Sequence, residues 1–148
     1  MTKLLILAGL LCLGALNFLS VGAQAAESAA PVGRWLTQSG NFEIDIASCG
    51  AALCGTVGRV LGNQAMSQSG VESKPMDARN AMGMKILSEL AASSDGEWQG
   101  RIYNRENGKT YDCRVRLLTP DQLELRSYIV LPLFGKTQVW TRVAAQKS

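Results

Sequence analysis

The sequence predicts an all-β fold, one domain of eight antiparallel strands closed up-and-down into a barrel. Three observations carry this. Short runs of alternating apolar and polar residues recur, most cleanly in Phe42-Glu43-Ile44-Asp45-Ile46, and a period of two means one dry face and one wet face. Turn residues separate the runs, with Asn107-Gly108 as a strong hairpin signal. No convincing long helical period interrupts them after the N-terminal segment. A row of short strands leaves edges to hide, and closing the sheet on itself removes them.

Residues 1–25 stand apart from this pattern. Lys3 supplies a positive start, residues 4–19 form a nearly unbroken apolar run, and Ala23-Gln24-Ala25 has the small-x-small form of a cleavage site. The segment is expected to be a cleaved secretory signal peptide. The run is short for a membrane span, so no transmembrane span is expected in the mature chain. Cys12 follows Leu10-Leu11 rather than the small residue that lipidation needs. The expected location is the periplasm, or beyond it as a secreted protein, where disulfides persist.

The elements then follow in order. Residues 26–32 are a short Ala/Ser linker, and residues 33–145 are the barrel domain. Residues 33–37 make the first strand, closed by Ser39-Gly40-Asn41. Phe42 to Ile46 are the second, and residues 53–61, softened by Gly55 and Gly58, the third. Residues 62–83 break the rhythm, and a loop this long suits a flap over the barrel mouth. Residues 84–90 resume it, with Met84, Ile86 and Leu90 on one face and Lys85 and Glu89 on the other, a spacing that also fits a turn or two of helix. The last four strands are residues 98–103, 110–118, 123–129 and 136–143. The connection Leu131-Pro132-Leu133-Phe134-Gly135 is conspicuously apolar. It reads first as a hairpin folded over the barrel end, and second as a contact for lipid or a partner protein.

Composition narrows the chemistry. The chain has 148 residues and a formal charge of +3, which falls to +2 once Lys3 is removed. A balance that weak, on scattered basic residues, predicts no nucleic-acid partner. There is no histidine, so Ser-His-Asp and Cys-His catalysis are excluded within this chain. The cysteines are too few for a zinc site, and no metal or cofactor is expected.

Of the four cysteines, Cys49, Cys54 and Cys113 remain in the mature chain. Cys49-Gly50-Ala51-Ala52-Leu53-Cys54 has neither redox nor zinc spacing. It suits two strands joined by a four-residue loop, with a disulfide across the outer face of the hairpin. Pairing with Cys113 is the alternative. Cys113 otherwise shares its strand face with Tyr111, Val115 and Leu117, which suits a small buried apolar residue better than a reactive thiol.

Four segments together carry a resemblance: Gly33-Arg34-Trp35, Cys49 to Gly55, Ile102 to Tyr111, and Leu133 to Val143. In this combination, and over essentially the whole mature chain, the sequence resembles the bacterial exported family named domain of unknown function 2147 (DUF2147). The resemblance implies a lipocalin/calycin-like fold and no assigned activity. Gly33-x-Trp35 and Arg142 also resemble the wider lipocalin pattern, which implies that Arg142 packs on Trp35 as a structural closure of the barrel.

Strand parity points Phe42, Ile44, Ile46, Val57, Trp98, Ile102, Tyr111, Cys113, Val115, Leu123 and Leu125 inward. Arg59 joins them if no bulge intervenes, offering a charge to an anionic head group, while Tyr111 offers a hydroxyl. This set either lines a cavity for a small hydrophobic or amphipathic ligand or fills the interior completely. The leading expectation is therefore a ligand-binding barrel. The alternative is a protein-binding module of the cell envelope, an inhibitor or assembly factor with a filled core. An enzyme is the third class and is not expected. Glu43 and Asp45 share an outward face where solubilising charge is the ordinary role, and Asp77-Ala78-Arg79-Asn80 reads as solvated loop before it reads as a binding element.

Overall fold

The computed structural model describes residues 29–63 and 74–144. The expected signal segment lies outside these residues, as does the middle of the long loop. Eight strands appear: β1 (Gly33–Leu36), β2 (Phe42–Cys49), β3 (Ala52–Val60), β4 (Lys85–Ala92), β5 (Trp98–Asn104), β6 (Lys109–Thr119), β7 (Gln122–Tyr128) and β8 (Lys136–Arg142). Each pairs antiparallel with its sequence neighbour, and β8 returns to β1, so the sheet is a closed up-and-down barrel. The seam is short: Trp35 pairs with Arg142 and Leu36 with Thr141.

Alternation sorts the side chains as two-fold periodicity requires. Ile44, Ile46, Val57, Cys113, Val115, Leu123 and Leu125 point inward and are buried. The outer wall carries cross-strand ion pairs instead, including Arg34 with Asp45 at 2.7 Å and Arg116 with Glu124 at 2.8 Å. An apolar lumen inside a charged wall is the reverse of a membrane-spanning barrel. Among the described residues no helix is long and apolar enough to cross a membrane.

Bulges reset the parity in two strands. Glu43 pairs with Arg59, but Ile44 pairs with Val57, so Gly58 is the extra residue in β3. A Cβ at Gly58 would strike the Asp45 carboxylate, which explains the glycine. In β4, Gly55 faces Leu87 while Thr56 faces Lys85, so Ile86 is extra and both Ile86 and Leu87 turn inward. Glu89, at φ 56°, is part of a second irregularity that brings Leu90 inside. Of Met84, Ile86 and Leu90, expected on one face, Ile86 and Leu90 are buried together with Leu87 while Met84 is partly buried, and the segment is strand rather than helix from Lys85 onward.

Cys49 and Cys54 form a disulfide with their Cα atoms 5.8 Å apart. The hairpin is tighter than expected. Cys49 pairs with Ala52 and Cys54 with Ala47, so only Gly50 and Ala51 make the turn and the cysteines are diagonal rather than opposite. Cys113 is fully buried, and burial pushes its thiol pKa up to about 12.

Two outcomes follow. Cys49→Ser should cost about 2 kcal/mol of stability in urea denaturation, with reductant weakening the wild type to the same level and leaving the variant unchanged. Cys113 should resist an aromatic disulfide reagent at mildly alkaline pH in the native state and react at once in denaturant.

Candidate functional site

The two ends of the barrel differ in kind. At the first end, Gly33 opens β1 at φ 130°, where a side chain would collide with the Arg142 guanidinium. That guanidinium lies 4.1 Å from the centroid of the Trp35 ring. Its Nε donates to the Pro120 carbonyl at 2.7 Å and its Nη1 to the Val32 carbonyl at 3.0 Å. The Trp35 indole donates to the Pro31 carbonyl at 2.9 Å. The Trp35 indole and two nitrogens of the Arg142 guanidinium are thus engaged within the chain, an arrangement that suits a structural plug.

The second end is bounded by the β1–β2 turn, the β5–β6 hairpin, the β7–β8 connection and the flanks of the long loop. A recess of ≈ 50 Å³ there touches Phe42, Ile86, Ile102 and Trp140 under a polar edge of Thr37, Asn41 and Gln138. That is room for about one or two waters. A wider mouth of ≈ 510 Å³ adds Tyr111, Ser127, Tyr128, Phe134 and Lys136. Recess and mouth share Ile102, Tyr103, Asn104, Glu106 and Gln138 in their walls, so they form one opening. Its floor is apolar and its rim is polar.

Of the residues expected to line a cavity, Phe42, Ile102 and Tyr111 meet this opening. Ile44, Ile46, Val57, Cys113, Val115, Leu123 and Leu125 instead pack into a solid core beneath it. Trp98 pairs with Ala92 and Val115 toward the plugged end and lines neither space. Arg59 corrects the parity argument: the Gly58 bulge turns it outward, where its side chain is exposed and lies 3.6 Å from the Glu43 carboxylate. Glu43 and Asp45 are outward as expected and engaged with Arg34, at 3.5 Å and 2.7 Å.

Sequence reasoning missed Trp140. Gln138 shares its strand face and hides the apolar period, yet the Gln138 side-chain oxygen accepts from the Trp140 indole at 3.0 Å and so satisfies it inside the barrel. Tyr103 and Lys136 were missed because rim residues follow loop positions rather than strand parity.

The described C-terminal flank of the long loop is strapped to the mouth. The Asp77 carboxylate accepts from Arg79 Nε at 2.9 Å and from the Tyr103 hydroxyl at 2.7 Å. Arg105 Nη2 donates to the carbonyls of Asp77 and Arg79 at 3.1 and 2.8 Å. The amides of Met76 and Asp77 donate to Glu106 and Arg105 carbonyls across the hairpin. Arg79 first, and Tyr103 second, hold the Asp77 carboxyl well below the usual carboxylate range. The expected flap thus has one anchored side at the mouth; residues 64–73 lie outside the described structure. Among the described residues no group of three histidine, cysteine, aspartate or glutamate side chains could hold a metal ion.

The family model described as an uncharacterized protein conserved in bacteria, DUF2147, matches residues 33–142. No curated protein matches the chain. A solved structure, protein HP1028 from the human pathogen Helicobacter pylori, described as belonging to the lipocalin family, is similar in fold. It has a TM-score of 0.55 and 20% identity over 76% of this chain and 82% of that one.

The plug and the strap make separate predictions. Arg142→Lys keeps the charge but loses the forked reach to two carbonyls, and should lower stability by about 2 kcal/mol in chemical denaturation. Asp77→Asn should speed amide exchange at Met76 and Asp77 while leaving the barrel's melting temperature nearly unchanged. The Asp77 pKa is depressed by folding, so the strap's contribution is present above the ordinary aspartate value of about 3.9 and is lost as pH falls toward the folded value. Exchange at these two amides should accelerate only in strong acid for the wild type.

Proposed function

The chain belongs to the bacterial DUF2147 family, and from that premise we propose that it is an exported binding protein holding a small amphipathic molecule at the open end of its barrel. The observation that carries the reading is the split interior. The core toward the Arg142 plug is packed solid, and the remaining space is an apolar floor under a polar rim. A mouth of ≈ 510 Å³ lies in the range of ordinary small-molecule sites, about 300–1,000 Å³.

The apolar part of the ligand rests on Phe42, Ile102 and Trp140. Its polar part meets the rim. Tyr111 already accepts a hydrogen bond from Asn107 Nδ2 at 2.7 Å, which leaves its own proton for a ligand oxygen. Lys136 at the rim favours an acidic head group. A long acyl chain could insert only its end, because the lower barrel is full. The disulfide supports a location outside the reducing cytosol, and the periplasm suits the N-terminal segment. The site offers shape and hydrogen bonds, which suits binding rather than turnover.

A panel of medium-chain fatty acids and aromatic carboxylates, followed by intrinsic tryptophan emission, tests this. At least one member should shift the emission through Trp140. Tyr111→Phe should weaken that ligand by about 1 kcal/mol, and Ile102→Trp should block it while circular dichroism stays native. A panel without any shift, joined to an empty native mass spectrum of periplasmic protein, would overturn the reading.

A further inference from the structure

The β7–β8 connection borders the barrel mouth without burying its apolar side chains there. Ile129, Val130, Leu131, Leu133 and Phe134 are exposed, the last two at 78% each. Pro132–Phe134 form a single 3₁₀ turn with no buried residue. Contiguous exposed apolar side chains of this kind mark a contact surface. Much of the backbone beneath them is satisfied from within. Leu131, Phe134 and Gly135 donate to the carbonyls of Ile129, Leu131 and Pro132. Arg126 reaches up from β7, with Nε on the Pro132 carbonyl at 2.5 Å and Nη2 on the Leu133 carbonyl at 3.1 Å. Capping the carbonyls of Ile129, Leu131, Pro132 and Leu133 within the chain lowers the cost of taking this tip out of water.

Charge along the barrel axis supplies the second observation. Among the described residues, the loops and strand ends at the mouth carry Lys74, Arg79, Lys85, Arg105, Lys109 and Lys136 against Asp77 and Glu106. The loops and strand ends at the plug carry Asp95, Glu97 and Asp121 against Arg34 and Arg142. The apolar tip therefore sits on the cationic end. A second copy docked face to face would oppose cations to cations, whereas an anionic bilayer complements both the charge and the apolar tip. The charged outer wall limits immersion to this end.

We propose that the mouth end docks on an anionic lipid bilayer, with Val130, Leu133 and Phe134 seated at the headgroup–acyl boundary and Lys136 and Lys109 against the headgroups. This surface shares Phe134 and Lys136 with the rim of the mouth but none of the floor residues Phe42, Ile102 and Trp140, so vesicle binding does not require a ligand on the floor.

Co-sedimentation with vesicles of phosphatidylcholine alone, and of phosphatidylcholine with phosphatidylglycerol, tests it. The protein should bind the anionic vesicles, bind the neutral ones far less, and release as salt rises. The double variant Leu133→Ser with Phe134→Ser should bind at least about tenfold more weakly, and Lys136→Gln about fivefold more weakly. Both should melt as the wild type does, since the altered side chains are exposed. Phe134→Trp should show a blue-shifted emission on anionic vesicles alone. Absence of wild-type binding overturns the proposal, as does equal binding by the double serine variant. A wild-type dimer that those serines dissolve, or a stoichiometric envelope protein captured through the same residues without vesicle binding, also overturns it. Ile102→Trp, which blocks the ligand floor, should leave vesicle binding intact, so the two readings fail separately.

Discussion

Arg142 over Trp35 is the contact on which this barrel depends. The β1–β8 seam contains only two residue pairs, Trp35 with Arg142 and Leu36 with Thr141. A closure that short gains little from ladder hydrogen bonds. The Val143 amide adds a bond to the Arg34 carbonyl, and the guanidinium stacks on the indole and joins the carbonyls of Val32 and Pro120, which lie on segments far apart in sequence. Glycine suits position 33 because its φ of 130° strains any L side chain and a Cβ there would displace the guanidinium. Three residues of three chemical kinds thus solve one problem, how to end a sheet that has no edge.

Sealing one end decides where function can lie. The plugged half is filled by aliphatic side chains at close to zero exposure, leaving no space for a guest. Among the described residues, interior space lies toward the loops, where the β1–β2 turn, the β5–β6 hairpin and the β7–β8 connection stand apart. Strands with alternating small and large side chains can fill a narrow barrel, but loops of unequal length do not close its rim. The rim is accordingly polar and adaptable, while the floor is rigid.

The outer wall has a different role. Its pairs, among them Arg34–Asp45 and Arg116–Glu124, are exposed and contribute little to stability individually. Their effect is to keep the wall hydrated. The β7–β8 connection is the exception, and Arg126 shows how it is maintained: a wall residue caps the carbonyls of the tip instead of pairing with an acid.

Alternation in Phe42 to Ile46, the Asn107-Gly108 turn and the cysteine spacing were enough to place eight strands and one disulfide, because strand periodicity and turn chemistry are local properties. Pairing order followed from short connections between neighbours. What lay beyond the sequence was whatever depends on one strand meeting another. The extra residue at Gly58 turned Arg59 to the outside, and the irregularities of β4 brought Leu87 inside, since a bulge is defined by the partner strand's register and leaves no periodic mark of its own. Ile44 and Leu125 were legible as inward, but whether they line a hollow or fill it depends on the volume left after all eight strands have converged. Trp140 and the rim of Tyr103, Tyr128 and Lys136 came together only through closure, because a mouth belongs to loops from four separate places in the chain.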